Sequence, residues 1–292
     1  MLADLHSHTW LSDGTLPPQA LIQRALDNQV THLAITDHDT TAAFDAIDAW
    51  PQPEQLTLIP GVEISCLWEQ REIHVVGLGF NRHEQTLQDL LQRQQQLRWQ
   101  RAQDMDLQLQ KAGITGLTRY LETLPCRAVS RNHVADFLIE RGVARSKSHA
   151  FKKHLGDRGR FRVSAQWCTI AEAIAAIQGA GGLAVLAHPN RYSISNPKLR
   201  RLTQEFAAHE GQGFEVSYSN IDPNVMNYMA TLCTDNGLWA STGSDFHTPT
   251  QQWMDLGKFR RLPATCADRA IWMHPGWPEC IAEGLRSGAT AQ

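Results

Sequence analysis

Residues 4–14 of the sequence are DLHSHTWLSDG. The first residues of this stretch are typical of a β-strand, in which side chains two positions apart point to the same side. His6 and His8 are therefore expected to face the same way, with Asp4 in line beside them. A histidine pair presented in this way can bind a metal ion through two nitrogens. By itself the pair decides little, because paired histidines also pack for structural reasons.

Alternating strand and helix patterns follow this first stretch. Apolar, β-branched runs typical of strands lie near residues 3–8, 32–37, 57–64, 71–79, 183–188, 213–218 and 239–244. Longer helical patterns lie over residues 17–29, 85–112, 170–179 and 222–236. Such alternation predicts βαβ units and therefore an α/β fold.

Histidines and carboxylates lie in or just after most of these predicted strands. The motifs ITDHDT, IPGVEIS, EIHVVGL, AVLAHPNRY and STGSDFH each contribute at least one. With the first stretch they give the set His6, His8, Asp13, His38, Glu63, His74, His188, Asp245 and His247. In an α/β barrel the carboxyl ends of the strands meet at one face, where such enzymes build their sites. Buried without partners, these groups would each cost several kcal/mol in order of magnitude, so a shared metal cluster is the better explanation.

The chemistry of these side chains narrows the choice of metal. Imidazole and carboxylate ligands without thiolates suit Mn²⁺, Zn²⁺ or Fe²⁺ better than Ca²⁺, and we expect Mn²⁺ first. Nine ligands hold two ions easily and have room for three. The cysteines form no CxxC pair, so neither a thiolate zinc site nor a disulfide framework is expected. Asp4 is expected to orient a ligating histidine from behind.

Composition is that of an ordinary globular protein, with one asymmetry. Hydrophobic residues make up 42% of the 292, and no apolar run approaches the roughly 18 residues that span a membrane. With no leader pattern apparent, we expect a cytoplasmic protein. Residues 101–165 hold 13 Lys or Arg against six Asp or Glu, whereas the rest holds 14 against 24. This basic segment favours an anionic ligand, although a solvated helical surface explains it equally well.

The same asymmetry suggests how the chain is divided. We predict a metal-binding barrel of residues 1–100 and 166–292, interrupted by a basic, mainly helical insertion of residues 101–165.

The motifs HSH, ITDHD, GVEIS, LAHP and GSDFH, with the isolated His74, together resemble the PHP family, named for polymerase and histidinol phosphatase. SRNH, FKKHL and QWCTI (130–133, 151–155 and 166–170) resemble more narrowly its bacterial branch that acts on nucleoside 3′,5′-bisphosphates and, as a 5′→3′ exoribonuclease, on short RNA. The resemblance implies a distorted (β/α)₇ TIM-like barrel with a small helical insertion. All nine ligand positions of the family pattern are present.

The resemblance also implies three ions. The first would be bound by His6, His8, Glu63 and Asp245, the second by Glu63, His74 and His188, and the third by Asp13, His38 and His247. Water bridging two such ions is a nucleophile at neutral pH, so no Ser or Cys nucleophile is needed. The residues expected to act most directly in catalysis are Asp13, His38, Glu63, His188 and His247.

Substrate contacts are expected from arginines and from the SRNH motif. Arginine binds phosphate through two nitrogens at once, which makes Arg131 the first choice, with Asn132 and His133 beside it. The other candidates are Arg98 and Arg101, which share a helix face, Arg191, Lys152, Lys153 and, for stacking on a base, Trp99. Surface charge explains the lysines more simply, and packing explains Trp99.

The expected substrates are nucleoside bisphosphates and short single-stranded RNA, with no membrane and no obligate protein partner evident. A histidinol-phosphate phosphatase, a non-catalytic PHP module that binds nucleic acid and a small-substrate amidohydrolase remain alternatives. The basic insertion favours a substrate with two phosphates, and the full ligand set favours an enzyme.

Overall fold

The computed structural model describes residues 1–51, 53–250 and 252–277. Its strands are β1 (Ala3–Asp4), β2 (His32–Ile35), β3 (Thr57–Trp68), β4 (Arg71–Leu78), β5 (Cys168–Thr169), β6 (Leu183–Leu186), β7 (Gly213–Tyr218) and β8 (Trp239–Gly243). Its α-helices are α1 (Pro18–Asp27), α2 (Ala42–Asp45), α3 (Gln85–Lys111), α4 (Leu117–Glu122), α5 (Arg131–Glu140), α6 (Lys147–Ala150), α7 (Ile170–Gly179), α8 (Asn196–Ala208) and α9 (Pro223–Asp235).

Seven of the strands form a nearly closed ring in the order β1-β2-β3-β4-β6-β7-β8. Between its two ends, Leu5 donates its backbone amide to Thr242 at 3.1 Å, and Ser7 forms a bridge with Phe246. The predicted distorted seven-strand barrel is thus confirmed. The eighth strand, β5, pairs with β3 outside the ring and was not predicted.

The strand β4 runs antiparallel to both of its neighbours, β3 and β6. The expectation of βαβ units throughout is therefore wrong for β3 and β4, which form a hairpin. Only Glu69 and Gln70 separate them, and both have a left-handed backbone, as tight hairpin turns require. Because β4 is reversed, its amino-terminal half, which carries His74, lies at the rim formed by the carboxyl ends of the other strands.

Apolar side chains inside the ring support the site from below. A buried cluster joins Ala34 of β2, Ile59 of β3, Val76 of β4 and Val185 of β6. Side chains alternate along a strand, so Glu63 continues the inward face of Ile59. The sheet thus places polar groups directly above an apolar floor.

Residues 102–161 contain a buried apolar cluster of their own. The long helix α3 reaches both this cluster, through Met105 and Leu109, and the barrel's core, through Leu87 and Leu91. The proposed boundary between residues 100 and 101 falls inside this continuous helix, and the division into two domains stays a prediction. Among the described residues, no helix is long and apolar enough to cross a membrane.

Candidate metal centre

The nine predicted ligands lie together at one end of the barrel, each with a ligand atom within 3.6 Å of another. Seven of them lie on segments that follow a strand: three after β1, one each after β2 and β6, and two after β8. Glu63 and His74 lie instead within the paired strands β3 and β4. Backbone geometry is unusual here, because His188 and Asp245 both have positive φ. Non-glycine residues adopt this conformation at a cost, and it is found disproportionately at functional sites.

A first group of atoms surrounds one point. The Nε2 atoms of His6 and His8 lie 3.2 Å apart, and each lies 3.3 Å from Glu63 Oε2. Asp245 Oδ1 lies 3.5 Å from the first ring nitrogen and 3.2 Å from the second. Two ligands of a tetrahedral ion with bonds of about 2.0–2.1 Å lie about 3.3–3.4 Å apart. The atoms of His6, His8 and Glu63 are therefore spaced as the ligands of one ion would be, and Asp245 lies against both histidines.

A second group uses the other oxygen of the same glutamate. His74 Nδ1 and His188 Nε2 each lie 2.9 Å from Glu63 Oε1. The two ring nitrogens lie 3.4 Å from each other. Glu63 is fully buried and presents one oxygen to each group, which is the arrangement required of a bridging carboxylate.

A third group lies towards the first loop. Asp13 Oδ1 is 3.6 Å from His38 Nε2 and 3.3 Å from His247 Nε2. The Asp13 carboxylate is fixed by its other oxygen, which accepts a hydrogen bond of 2.7 Å from Asn132. His8 also lies close enough to join this group.

Several of these atoms are buried without a hydrogen bond. Within the described chain they include Asp13 Oδ1, Glu63 Oε2 and His38 Nδ1. His38 Nδ1 lies 3.0 Å from Glu63 Oε2, but the pair does not have the geometry of a hydrogen bond. Buried polar atoms normally have partners. A cation between these atoms would satisfy them, so the residues fit a bound metal.

The pKa values of the site reflect its crowded charges. Burial would lower the pKa of His6, but Glu63 and Glu215 outweigh it and raise the pKa to about 10. The pKa of His74 is raised against burial to about 9, mainly by Glu63, whereas burial lowers the pKa of His188 to about 4. Burial would raise the pKa of Glu63, yet the surrounding histidines hold it well below its usual range. Such dense, buried carboxylate and imidazole groups are the environment in which a cation is bound.

A second layer of side chains holds the ligands in place. Glu215 of β7 accepts from the ring of His6 at 3.1 Å and from the backbone amide of His188 at 2.5 Å. Asp4, expected to orient a histidine ring, instead accepts from the amides of Ser244 and Gly257. The backbone of His6 also bonds to Asp4, so Asp4 supports this histidine through its main chain and Glu215 supports it through its ring. A lone carboxylate inside the buried strand GFEVSY could have indicated Glu215.

Close packing also fixes the first strand against the last. A Cβ added at Gly243 would lie only 2.3 Å from the Cβ of His6 and 3.0 Å from Glu215 Oε1. Any larger residue would push His6 away from its neighbours. The glycine of the GSDFH motif is thus required by the position of this histidine.

The predicted arginines differ in their surroundings. Arg98 is 5% exposed and donates to Asp39 and Ser65, both at 2.7 Å, and to the carbonyl of Val129. Its hydrogen bonds therefore join α3 to the barrel. Arg191 forms an ion pair with Asp245.

Arg101 and Arg131 converge on one carboxylate. Glu72 forms an ion pair with Arg131 at 3.0 Å, accepts a hydrogen bond from Arg101 at 3.3 Å and lies 4.0 Å from the ring of His74. Partial burial would raise the pKa of Glu72, but the two arginines and His74 hold it well below its usual range. The guanidinium group of Arg101 also lies 5.4 Å above the ring of Trp167.

The remaining predicted contacts lie further from the cluster. His133 caps α5 by accepting from the amide of Ser130 at 3.0 Å. Lys152 and Lys153 are exposed on the π-helical turn Phe151–Leu155. Trp99 packs against the apolar cluster of the insertion.

One cavity reaches the cluster, and a second adjoins the first. The inner cavity has at its floor Asp13, His38 and His74, and its walls include Arg98, Arg101, Met105, Arg131, Phe151 and Trp167. A larger space of about 700 Å³, here called the arginine cleft, is lined among others by Arg71, Arg101, Arg131, Arg162 and Arg191. Glu72, Arg101 and Arg131 belong to both.

Comparison with known proteins gives consistent matches. The PHP-domain profile matches residues 4–130. The chain is 45% identical over 272 residues to the 5′-3′ exoribonuclease Rnm of Escherichia coli, covering 90% of this chain and 91% of that protein. It is 36% identical over 273 residues to the 3′,5′-nucleoside bisphosphate phosphatase of Chromobacterium violaceum, covering 92% and 94%.

A solved structure from Chromobacterium violaceum, described as an amidohydrolase with bound sulfate and no metal, aligns over 97% of each chain, with a TM-score of 0.86 and 35% identity. Barrel, metal-binding cluster and sequence similarity together show that this chain belongs to the PHP-domain family of phosphoesterases and is a hydrolase.

Proposed function

We propose that this protein removes the 3′-phosphate from nucleoside 3′,5′-bisphosphates and trims short 5′-phosphorylated RNA from its 5′ end. The observation that carries this proposal is the placement of Arg101 and Arg131 in the same cavity as Asp13, His38 and His74. One substrate thus has room to meet the cluster at one end and two guanidinium groups at the other. The names of the E. coli and Chromobacterium relatives favour the same two substrates.

The nine clustered side chains would hold about three divalent cations. His6, His8, Glu63 and Asp245 are assigned to the first, Glu63, His74 and His188 to the second, and Asp13, His38 and His247 to the third. Such cations, Mn²⁺ first and Zn²⁺ or Fe²⁺ as alternatives, supply Lewis acidity and a water of lowered pKa. Within this set Asp13, His38, Glu63, His188 and His247 are proposed to act most directly.

The protein's own part is to bind and orient the substrate. An incoming phosphate would take Arg131 and Arg101 from Glu72, which pairs with both in the free protein. Arginine suits this exchange, because its planar fork binds phosphate with two parallel hydrogen bonds. Asn132 keeps Asp13 turned towards His247 and His38.

RNA can adopt the same arrangement. Its terminal 5′-phosphate would take the arginine position, and its first internucleotide linkage would replace the 3′-phosphate at the cluster. Hydrolysis would break the bond between the 3′ oxygen and phosphorus, with water supplying the new oxygen on phosphorus and the proton on the 3′ oxygen. A 5′-mononucleotide leaves, and the shortened RNA carries a new 5′-phosphate for the next round.

A product screen with added Mn²⁺ tests the substrate class. Its substrates are a nucleoside 3′,5′-bisphosphate, histidinol phosphate, an aryl phosphate, and an oligoribonucleotide with a 5′-phosphate or a 5′-hydroxyl. We expect the bisphosphate to be preferred and the 5′-phosphate to exceed the 5′-hydroxyl. Preference for histidinol phosphate would show a histidinol-phosphate phosphatase instead. Inactivity on every substrate would favour a non-catalytic module that binds nucleic acid.

Oligomers labelled at opposite ends test the direction. The 5′-labelled RNA should release its label at once as a mononucleotide, while the 3′-labelled RNA shortens as a ladder. The reverse pattern would contradict the proposed arrangement.

A further inference from the structure

The arginine cleft leads away from the metal cluster. One wall is the turn between β3 and β4, with Glu69 and Arg71, and the opposite wall is the segment 156–166 at the end of the insertion. Arg131 and Arg101 stand where the cleft meets the inner cavity, and Arg191, the ion-pair partner of Asp245, borders it as well. An RNA chain whose first linkage lies at the cluster can therefore continue past Arg191 into this space.

Charge in the cleft is in positive excess. Its five arginines face the carboxylates of Glu69, Glu72 and Asp157. Glu69 is paired with Lys198 and Arg201, neither of which lines the cleft. A net positive lining is therefore left to attract an anion.

Two of the arginines are available at the outer part of the cleft. Arg162 is exposed, and its guanidinium group has no ion pair or hydrogen bond within the described residues. Arg71 donates to the backbone carbonyl of Ser193 at 3.1 Å, which leaves its charge unneutralised. They differ in this from Arg101 and Arg131, which pair with Glu72, and from Arg191, which pairs with Asp245.

The rest of the lining suits a sugar–phosphate backbone better than bases. Its walls include small or polar residues such as Gly156, Ser164 and Ser193. Tyr192 is the aromatic side chain there, and its hydroxyl is bonded to Ala187 and His74. Single-strand sites that hold bases usually offer successive stacking rings, whereas contacts to phosphate are independent of sequence.

We propose that the arginine cleft binds the RNA nucleotides that follow the cleaved linkage, with Arg71 and Arg162 contacting their phosphates. This inference rests on the proposed function and extends it, because it makes these two residues determinants of substrate length. A nucleoside bisphosphate ends at the cluster and does not reach them. A longer RNA reaches both arginines whatever its base sequence.

The test compares wild type with the double variant Arg71→Gln/Arg162→Gln on two substrates. On a 5′-phosphorylated hexaribonucleotide we expect kcat/KM to fall about three- to tenfold, as for two exposed charge contacts. On a nucleoside bisphosphate it should stay within about twofold of wild type. The log–log slope of RNA cleavage against salt should become shallower by about 0.7 for each phosphate that an arginine no longer binds. Arg145→Gln, an exposed arginine of the insertion outside the cleft lining, is the matched control and should change neither substrate.

Fluorescence anisotropy with a 5′-phosphorylated phosphorothioate hexaribonucleotide gives a readout without cleavage. The double variant should bind this probe more weakly, and Arg145→Gln should bind it as wild type does. Equal loss on RNA and bisphosphate, or no loss of RNA cleavage and binding, would overturn the proposed cleft. Binding of the probe that weakens in the double variant, without cleavage of either substrate by wild type, would overturn the proposed activity and leave the cleft assignment supported.

Discussion

The metal centre and the arginines beside it satisfy their charges in opposite ways. At the centre, buried atoms of Glu63 and Asp13 lack hydrogen bonds within the described chain. Arg131 and Arg101, in contrast, already share a partner inside the protein, Glu72. The centre therefore needs a cation to satisfy its buried atoms, whereas each arginine already has a carboxylate partner that a bound anion would replace.

This difference predicts unequal sensitivity to mutation. Removing a ligand from the centre leaves the charges of its buried neighbours unbalanced. Removing Arg101 or Arg131 leaves only Glu72, a partly exposed carboxylate that solvent can reach. Effects should therefore be largest at the centre, smaller at the inner cavity and smallest on the exposed surface of the insertion.

The largest loss is expected for Glu63→Gln. One side chain serves two groups of ligands, so its neutralisation should lower kcat on a nucleoside bisphosphate about a thousandfold or more. Steady-state phosphate release measures the loss. The matched control is Glu122→Gln, an exposed helix position, which should keep wild-type activity. Near wild-type activity and metal content in Glu63→Gln would refute the bridging role.

Arg98→Met should mainly lower stability. It leaves Asp39 buried at 0% exposure without the guanidinium group that neutralises it. Breaking a buried pair on one side costs about 3–5 kcal/mol, measured as the free energy of unfolding in denaturant. Adding Asp39→Asn should restore part of the lost free energy of unfolding. If Arg98→Met kept its stability and lost only bisphosphate binding, Arg98 would be a substrate contact, as its sequence position first indicated.

Arg131→Ala should lower activity on a nucleoside bisphosphate much more than on an aryl phosphate. A charge-assisted hydrogen bond to a phosphate is worth roughly 1.5–3 kcal/mol, so kcat/KM for the bisphosphate should fall about ten- to hundredfold. An aryl phosphate lacks the second phosphate and should be hardly affected. Equal losses on both would point instead to damage at the metal centre, and Arg145→Ala serves as the control for charge alone.

The smallest effect is expected for Lys152→Gln/Lys153→Gln. Both side chains are exposed on the π-helical turn, and neither lines the inner cavity or the arginine cleft. RNA cleavage at moderate salt should change less than about twofold. A loss as large as that expected for Arg71→Gln/Arg162→Gln would move the RNA path to this outer face.

The sequence predicted the ring of strands and the grouping of the ligand residues because both produce patterns in neighbouring residues. A histidine or glutamate inside an apolar strand, as with His74 and Glu63, conflicts with its surroundings unless a partner exists. The direction of β4 left no such mark, since the turn Glu69–Gln70 contains neither the glycine nor the asparagine typical of tight hairpins.

Contacts between distant segments were also hidden. Glu215 supports His6 across 209 residues, and Arg98 meets Asp39 across 59. Charge and spacing along α3 suggested the same role for Arg98 and Arg101, although Arg98 binds Asp39 and Arg101 binds Glu72. Which arginine is held inside the protein depends on the packing of α3 against the barrel, and this packing has no local pattern.

Metal content is the decisive measurement for the proposed metal centre. Protein purified without chelator should contain more than one transition-metal ion per chain by elemental analysis, with hydrolytic activity that falls as the ions are removed and returns when Mn²⁺ is added. Protein that contains no transition metal and keeps full hydrolytic activity would contradict it.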